Sequence, residues 1–531
     1  MKCAVQNFTF EQTNAFSKII IDYINNDERL SEFVTDFPSI NDIEKIIETK
    51  QKESIDRKLL VQTIFQQYQH IEIDETFSKQ IHALEDKQTF CIVTAHQLNI
   101  FGGPLYYIYK IAQTIATCNL LQKKYPSYQF VPIYWLGSED HDFEEINHTY
   151  LYNKKIEWTD KQGGIIGNYD TASLQFLIEV LENLIKNQPF GKKLSSIFKD
   201  AYASKTLAEA TRNWLHKLFG QYGLIVVDGN EKAFKQACSD IIKDDILQHS
   251  AYNIVAETIH KMEQKGYKHQ AMPRQINLFY IDKNSRERIE FDAEKQQYFI
   301  LNTDKVFSKE EILSELKNYP EKFSPNVILR PLFQQKILPS LMYIGGGGEI
   351  AYWLQLKNLF DKSNIAFPQL IVRNSALIIT RQQKERLEKL NIPITQIFHS
   401  LDDLKNNFIR QEKNISIEEE VKNIEQQFAI IQEKIKEIDA SLVNYVGAEA
   451  QKTFKSTEHI EARIHKALKQ KNETSLNQME KIKNQLFPNN NLQERVDNFS
   501  AYYADFGQQF IEMLIAEFDV YQKQFLVIEL M

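Results

Sequence analysis

The chain has 531 residues, 43% apolar and 25% charged, values that build several soluble domains with substantial cores. Lys and Arg number 63 against 71 Asp and Glu, a net charge of −8, which argues against a surface made to coat nucleic acid or anionic lipid. No apolar run reaches the roughly 18 residues that cross a bilayer. No signal-peptide stretch follows Met1, and the four cysteines, Cys3, Cys91, Cys118 and Cys238, form no C-x-x-C pair. A reducing, cytoplasmic setting is expected, with neither disulfides nor a Cys-rich zinc site.

Residues 1–88 read as helical, with Phe16, Ile19, Ile20, Tyr23 and Ile24 at helix spacing. The texture changes at Thr89. T-F-C-I-V-T (89–94) is a nearly continuous apolar run, as in a strand buried on both faces of a parallel sheet. A turn, A-H-Q-L-N-I-F-G-G-P (95–104), leads to a long helix with Pro104 suited to its first turn. F-V-P-I-Y-W-L (130–136) then completes a β-α-β unit, although Pro132 cannot donate to a ladder. Residues 149–220 mix a hairpin over 150–170 with helices and read as a segment inserted into the α/β core. G-L-I-V-V-D (223–228) restores the buried strand texture. A second insertion is expected near 275–320, where N-L-F-Y-I-D and R-I-E-F-D flank K-N-S-R-E in a hairpin pattern. Residues 326–372 hold N-V-I-L-R-P, then L-M-Y-I-G-G-G-G-E-I-A-Y-W and a helix, then P-Q-L-I-V-R, a second stretch of strand, loop, helix and strand.

The clearest periodicity follows. Val421, Ile424, Phe428, Ile431, Ile435, Ile438, Leu442 and Tyr445 alternate spacings of three and four, a coiled-coil seam. Ile460, Ile464, Leu468, Leu476, Met479, Ile482 and Leu486 mark a second helical stretch over 455–486, with Gly447 as the breaker between them. The expected domains are 1–88 (helical), 89–148 and 221–380 (halves of an α/β core), 149–220 (insertion), 381–490 (helical coiled-coil arm) and 491–531 (C-terminal helical segment).

Three segments carry candidate chemistry. Thr94, His96 and Gln97, followed by Gly102, Gly103 and Pro104, lie between a buried strand and a helix, where α/β sheets bind phosphate or carboxylate. Neither G-x-G-x-x-G nor a Walker lysine is present, and a plain structural turn is an equally good reading. Ser138-Glu139-Asp140-His141-Asp142 through Asn147 and His148 place five carboxylates and two histidines after the second strand. Such a cluster suits an ammonium, Mg²⁺ or a general base, against a bland alternative of a solvated loop. Gly345 to Gly348, before Glu349, Tyr352 and Trp353, suit a backbone wrapped on a ligand. Arg330 suits an anionic group, or otherwise a surface ion pair.

In order along the chain, T-A-H-Q-L-N-I-F-G-G-P-L-Y-Y-I-Y-K, P-I-Y-W-L-G-S-E-D-H-D-F-E-E-I-N-H, V-I-L-R-P-L-F-Q-Q-K-I-L-P-S-L-M-Y-I-G-G-G-G-E-I-A-Y-W and L-F-P-N-N-N-L-Q-E-R resemble the bacillithiol biosynthesis cysteine-adding enzymes, the BshC cysteine ligases. The resemblance runs from about residue 90 to 500. It departs at Ala95, where the family usually has glycine.

The resemblance implies a Rossmann-like core similar to nucleotidyltransferases and class I aminoacyl-tRNA synthetases, with inserted connecting segments and a coiled-coil arm that makes a homodimer. It implies a ligase joining cysteine to glucosaminyl-malate in the last step of bacillithiol biosynthesis, with no nucleic-acid or membrane partner. An amide does not form unaided in water, so ATP or another adenine nucleotide, with Mg²⁺, is expected to activate the carboxylate. His141, Asp140, Asp142 and Glu139 are then the expected catalytic groups. Thr94, His96, Gln97, Gly102, Gly103, Pro104, Gly346 and Gly348 are expected to hold the nucleotide. Ser138, Asn147, Arg330, Glu349, Tyr352 and Trp353 are expected to hold substrate, and no protein-held metal is assigned. A ligase for another amino acid or amine, or a non-catalytic dimeric scaffold, stays open at this level.

Overall fold

A computed structural model describes residues 1–412 and 417–531. The expected arm, 381–490, includes residues 413–416, which lie outside the described residues. The chain divides into two compact units, one of Met1–Leu377 with Asn491–Ile528, the other of Ile378–Asn490 with Glu529–Met531.

In the first unit, a short strand β1 (Cys3–Phe8) precedes helices at Lys18–Ile24, Ile43–Gln51, Arg57–Gln67 and Glu75–Ala83. β1 was not expected; six residues are too few for periodicity to separate strand from helix. β2 (Thr89–His96), helix Tyr106–Lys124 and β3 (Gln129–Leu136) form the expected β-α-β unit, the helix starting two residues after Pro104. A hairpin of β4 (His148–Leu151) and β5 (Lys154–Glu157) opens the inserted segment, which continues in helices Gln175–Ile185, Gly191–Ala201 and Leu207–Phe219. β6 (Ile225–Asp228) returns to the core.

The second insertion is an antiparallel sheet of β7 (Leu278–Asp282), β8 (Ser285–Asp292), β9 (Gln297–Ile300), β10 (Val306–Phe307) and β11 (Phe323–Pro325), in the order β10-β9-β8-β7-β11. β12 (Ser340–Gly345), helix Gly347–Trp353 and β13 (Gln369–Val372) finish the core. N-V-I-L-R-P is a turn into helix Arg330–Ile337: Asn326 accepts the Ile328 and Leu329 amides on Oδ1 and the Arg330 amide on its carbonyl, and Pro331 fits the first turn.

The core sheet is wholly parallel in the order β13-β12-β2-β3-β6. By rank along the chain that is 5-4-1-2-3, the Rossmann order, which reverses direction between β2 and β12. Alternate residues of the strands feed two cores. Cys91, Val93, Val131, Ile133 and Val227 meet Leu60, Val61 and Ile64 on one face. Phe90, Ile92, Phe130 and Ile344 meet Cys118, Leu121, Ile43 and Ile47 on the other. Burial on both faces explains the continuous apolar strands. Pro132 is tolerated because the ladder from β3 to β6 starts one residue later, at Ile133 and Ile225.

In the second unit, helices Glu418–Lys436 and Leu442–Lys471 pair as a hairpin, with Phe428 edge-on to Phe454 at 5.8 Å, and helix Glu473–Leu486 follows. Gly447 is not the breaker. It lies inside Leu442–Lys471, and the turn falls at 437–441, where Asp439 accepts the Ser441 amide at 2.8 Å. One helical glycine costs about 1 kcal/mol, which a thirty-residue helix outweighs.

Candidate active site

β2, β3 and β12 end at one edge of the sheet, and a cavity of about 940 Å³ opens there, over the point where strand order reverses. Ligands bind in such crevices because the loops after adjacent strands diverge. Gly137 lets the ends of β2 and β3 close up: its N–H donates to the His96 carbonyl at 2.9 Å, and a Cβ there would sit 2.9 Å from that oxygen.

One wall is acidic. Asp140 accepts the backbone N–H of His141 (2.7 Å) and Asp142 (3.2 Å) on Oδ1, and Gln97 Nε2 (2.6 Å) on Oδ2. Gln97 also donates to Glu145, which ties the first candidate segment to the second. Glu139 pairs with buried Lys235, whose ammonium also reaches the Phe323 carbonyl at 3.0 Å. His141 accepts a hydrogen bond on Nδ1 from Arg286 Nη1 at 3.0 Å. Guanidinium has no acceptor, so the neutral imidazole carries its proton on Nε2. Burial, and then the Arg286 charge, lower the His141 pKa and keep the ring neutral.

The inner end holds a second charged pair. Lys110 donates to the Ala95 carbonyl at 2.7 Å and pairs with Glu349, which also accepts from Tyr343 Oη at 2.5 Å and from the Gly346 N–H at 3.0 Å. Burial alone would raise the Glu349 pKa, but the Lys110 charge, the neighbouring His96 and the hydrogen bonds from Lys110 and Tyr343 together outweigh it and hold the carboxyl at about 2. His96, between this pair and Tyr106 (3.3 Å), is pushed down to about 3 by burial and by Lys110, so it too is neutral. Its Nδ1 is buried and makes no hydrogen bond among the described residues.

Basic side chains line the same cavity: Lys161, Arg274, Arg286, Arg288 and Arg330. Arg286 lies over the Phe279 ring at 3.8 Å and donates to Ser324 Oγ and the Pro325 carbonyl, each at 3.0 Å. Arg330 donates to Tyr352 Oη at 2.6 Å. Sequence reasoning missed Arg274, Arg286, Arg288, Lys110, Glu145 and Tyr343. A signal existed for two of them: Arg286 and Arg288 are two apart on a strand and so share a face. Another existed for Lys110, a lone charge in a helix with apolar neighbours on both sides.

Of the expected site residues, His96, Gln97, Glu139, Asp140, His141, Asp142, Arg330, Glu349 and Tyr352 line this one cavity. The others do not. Thr94 donates to the Ile344 carbonyl at 2.8 Å between strands, and Ser138 donates to Asp228. Asn147 accepts from His148 at 2.9 Å. The Gly102 and Gly103 amides are committed to the Asn99 and Ile100 carbonyls, and Asn498 Nδ2 donates to the Phe101 and Gly103 carbonyls at 2.9 and 2.7 Å. Pro104 accepts the Tyr107 amide. Gly346 positions Glu349, Gly348 is exposed, and Trp353 stacks on Tyr343 at 4.4 Å.

A parallel sheet of Rossmann order, with a two-signed cavity over its switch point, defines a Rossmann-type α/β protein with a separate helical unit. Residues 3–374 match the N-terminal Rossmann-like domain of bacillithiol biosynthesis BshC, and residues 376–530 match its C-terminal coiled-coil domain. Curated proteins named "Putative cysteine ligase BshC" are similar over almost their whole length. The one from Flavobacterium johnsoniae is 40% identical, covering 98% of each chain. That from Christiangramia forsetii is 39% identical, also covering 98% of each, and that from Flavobacterium psychrophilum is 42% identical, covering 95% of this chain and 96% of its own. The chain belongs to the BshC family of bacillithiol biosynthesis and is a ligase. No helix among the described residues is long and apolar enough to cross a membrane.

Proposed function

We propose that the chain joins the carboxylate of L-cysteine to the amine of glucosaminyl-malate, the last step of bacillithiol formation, after a nucleotide has activated that carboxylate. The observation that carries this reading is the cavity at a Rossmann switch point that is lined by charges of both signs, carboxylates that suit an ammonium and arginines that suit carboxylates and phosphates. An adenine nucleotide fits the residues present, since the cavity is large and arginine-lined and His96, which lines it, has a buried Nδ1 with no hydrogen-bond partner among the described residues. ATP supplies the leaving group on the cysteine carboxylate. Mg²⁺ would accompany the nucleotide and offset the charge of its phosphates.

Within that reading each group has a task. Asp140, its oxygens already committed to three donors, fixes the cysteine ammonium. As the C–N bond forms and the C–O bond to the leaving group breaks, Asp142 takes the proton of the attacking amine. His141, with its proton on Nε2, donates to the carbonyl oxygen as charge builds there. Glu349, Tyr352 and Arg330 line the acceptor side. The ligase works in the cytoplasm as a homodimer through its helical hairpin, where Ile431, Ile438, Leu442, Tyr445 and Ile460 are exposed.

The test is mass spectrometry of purified protein with cysteine, glucosaminyl-malate, Mg²⁺ and ATP, against blanks lacking each. ATP-dependent bacillithiol supports the reading. Product without ATP, or product only with another amino acid or amine, overturns it.

A further inference from the structure

Asn277 does not itself line the cavity, yet it joins two of the segments that bring arginines to it. Its side chain and that of Asp245 are fully buried. Asn277 donates its backbone N–H to Asp245 Oδ2 at 2.5 Å, and its Nδ2 to Asp245 Oδ1 at 3.1 Å and to the Arg274 carbonyl at 2.8 Å. Its Oδ1 accepts the Arg274 amide at 2.9 Å and Asn326 Nδ2 at 3.1 Å, and its carbonyl accepts the Asn326 amide at 2.9 Å. Asn326 in turn caps the helix that begins at Arg330. Every hydrogen-bonding group of this asparagine is thereby committed.

We propose that Asn277, held by the Asp245 carboxylate, is a positioning residue that sets Arg274 and Arg330 at their places in the cavity wall. Asparagine is required because the node needs two donors and two acceptors on one planar amide. Aspartate lacks the donors, and leucine, of similar size, lacks all four. Burial makes the arrangement stiff, since an unmade bond here finds no water to replace it. The inference rests on the proposed ligation only for its kinetic readout.

The experiment compares Asn277→Asp, the reciprocal pair Asp245→Asn with Asn277→Asp, and each in an Arg274→Ala background. The expected result for Asn277→Asp is a KM about tenfold higher for the substrate whose KM Arg274→Ala also raises, with kcat within about twofold. The reciprocal pair, in which Nδ2 of residue 245 donates to residue 277, restores the bond between those two side chains but not the one to the Arg274 carbonyl, so it should recover stability while the KM stays raised. In the Arg274→Ala background the Asn277→Asp effect should largely vanish, because coupled residues are non-additive. Equal effects with and without Arg274, or a fall in kcat alone, overturn the proposal. A crystal structure of Asn277→Asp provides a readout free of the reaction: Arg274 or Arg330 displaced from the wall supports the proposal, and both unmoved overturns it. Where Asn277→Asp does not fold, the reciprocal pair alone is compared with wild type by the same two readouts. Failure of wild type to make product under any condition counts against the proposed ligation, and the crystallographic readout still decides the positioning role.

Discussion

Arg286 donates to Nδ1 of His141 at 3.0 Å while lying flat over Phe279. The pair fixes the imidazole as a donor toward the cavity, and a glutamine side chain can present an N–H in the same region. His141→Gln is therefore expected to keep within about tenfold of wild-type kcat, and His141→Ala to lose on the order of 10². Steady-state kinetics on both variants checks this. Equal losses would point to His141 as a base.

Lys110 is buried and its partner Glu349 half-buried, and removing one strands the other. Glu349→Gln and Lys110→Met should each lower stability by about 3–5 kcal/mol, and the double variant by less than the sum. Chemical denaturation reads this directly. The Glu349 carboxyl, held at about 2, contributes stability above its unfolded pKa, and that contribution is lost as pH falls from about 4.5 toward 2.

Asp497 has the opposite sign. Burial raises its pKa to about 7, so the folded state holds a proton that the unfolded chain releases near pH 4. Its contribution is present at low pH and is lost as pH rises through about 7. Asp497→Asn should make melting temperature less dependent on pH between about 4 and 7, with the gain over wild type largest at the upper end. A pH series of thermal melts tests it, and parallel curves would sink the idea.

Gly103 has a φ of +54°, and a Cβ there would lie 2.7 Å from Asn99 Cβ. Gly103→Ala is expected to cost about 1–3 kcal/mol through strain alone, with more from the contact. Since Asn99 Nδ2 also donates to the Glu145 carbonyl at 2.9 Å, kcat/KM should fall along with stability.

On the helical hairpin, Ile438 is 81% exposed and Tyr445 63%. Under the proposed dimer, Ile438→Glu with Tyr445→Glu should halve the mass seen by sedimentation while leaving helix content unchanged. A wild-type protein that sediments as a monomer would remove the dimer from the proposal.

Where the sequence was readable, one local signal sufficed. T-F-C-I-V-T announces a strand buried on both faces, and nine expected site residues fall in one cavity, all but Arg330 because they end or follow strands whose ends share an edge. What stayed hidden depends on direction or distance. Ser138 and Thr94 sit in the expected segments but turn inward to Asp228 and Ile344, which spacing alone cannot reveal. Arg286 reaches His141 across 145 positions, through the fold of an inserted sheet. Gly447 shows the reverse failure: a breaker by type, overruled by a long helix that pairs with its neighbour.

The placing of β2 between β3 and β12 also bears on the birth of the molecule. Thr94 waits for Ile344, 250 residues later, before that side of the sheet closes. At about 5–20 residues per second on a ribosome, β2 spends roughly 12–50 s with an apolar edge unpaired. A nascent chain stalled within that span presents a ready template for wrong strand pairing. The inserted segments made in the interval, helices first and the antiparallel sheet after, are what the growing chain has at hand to shield it.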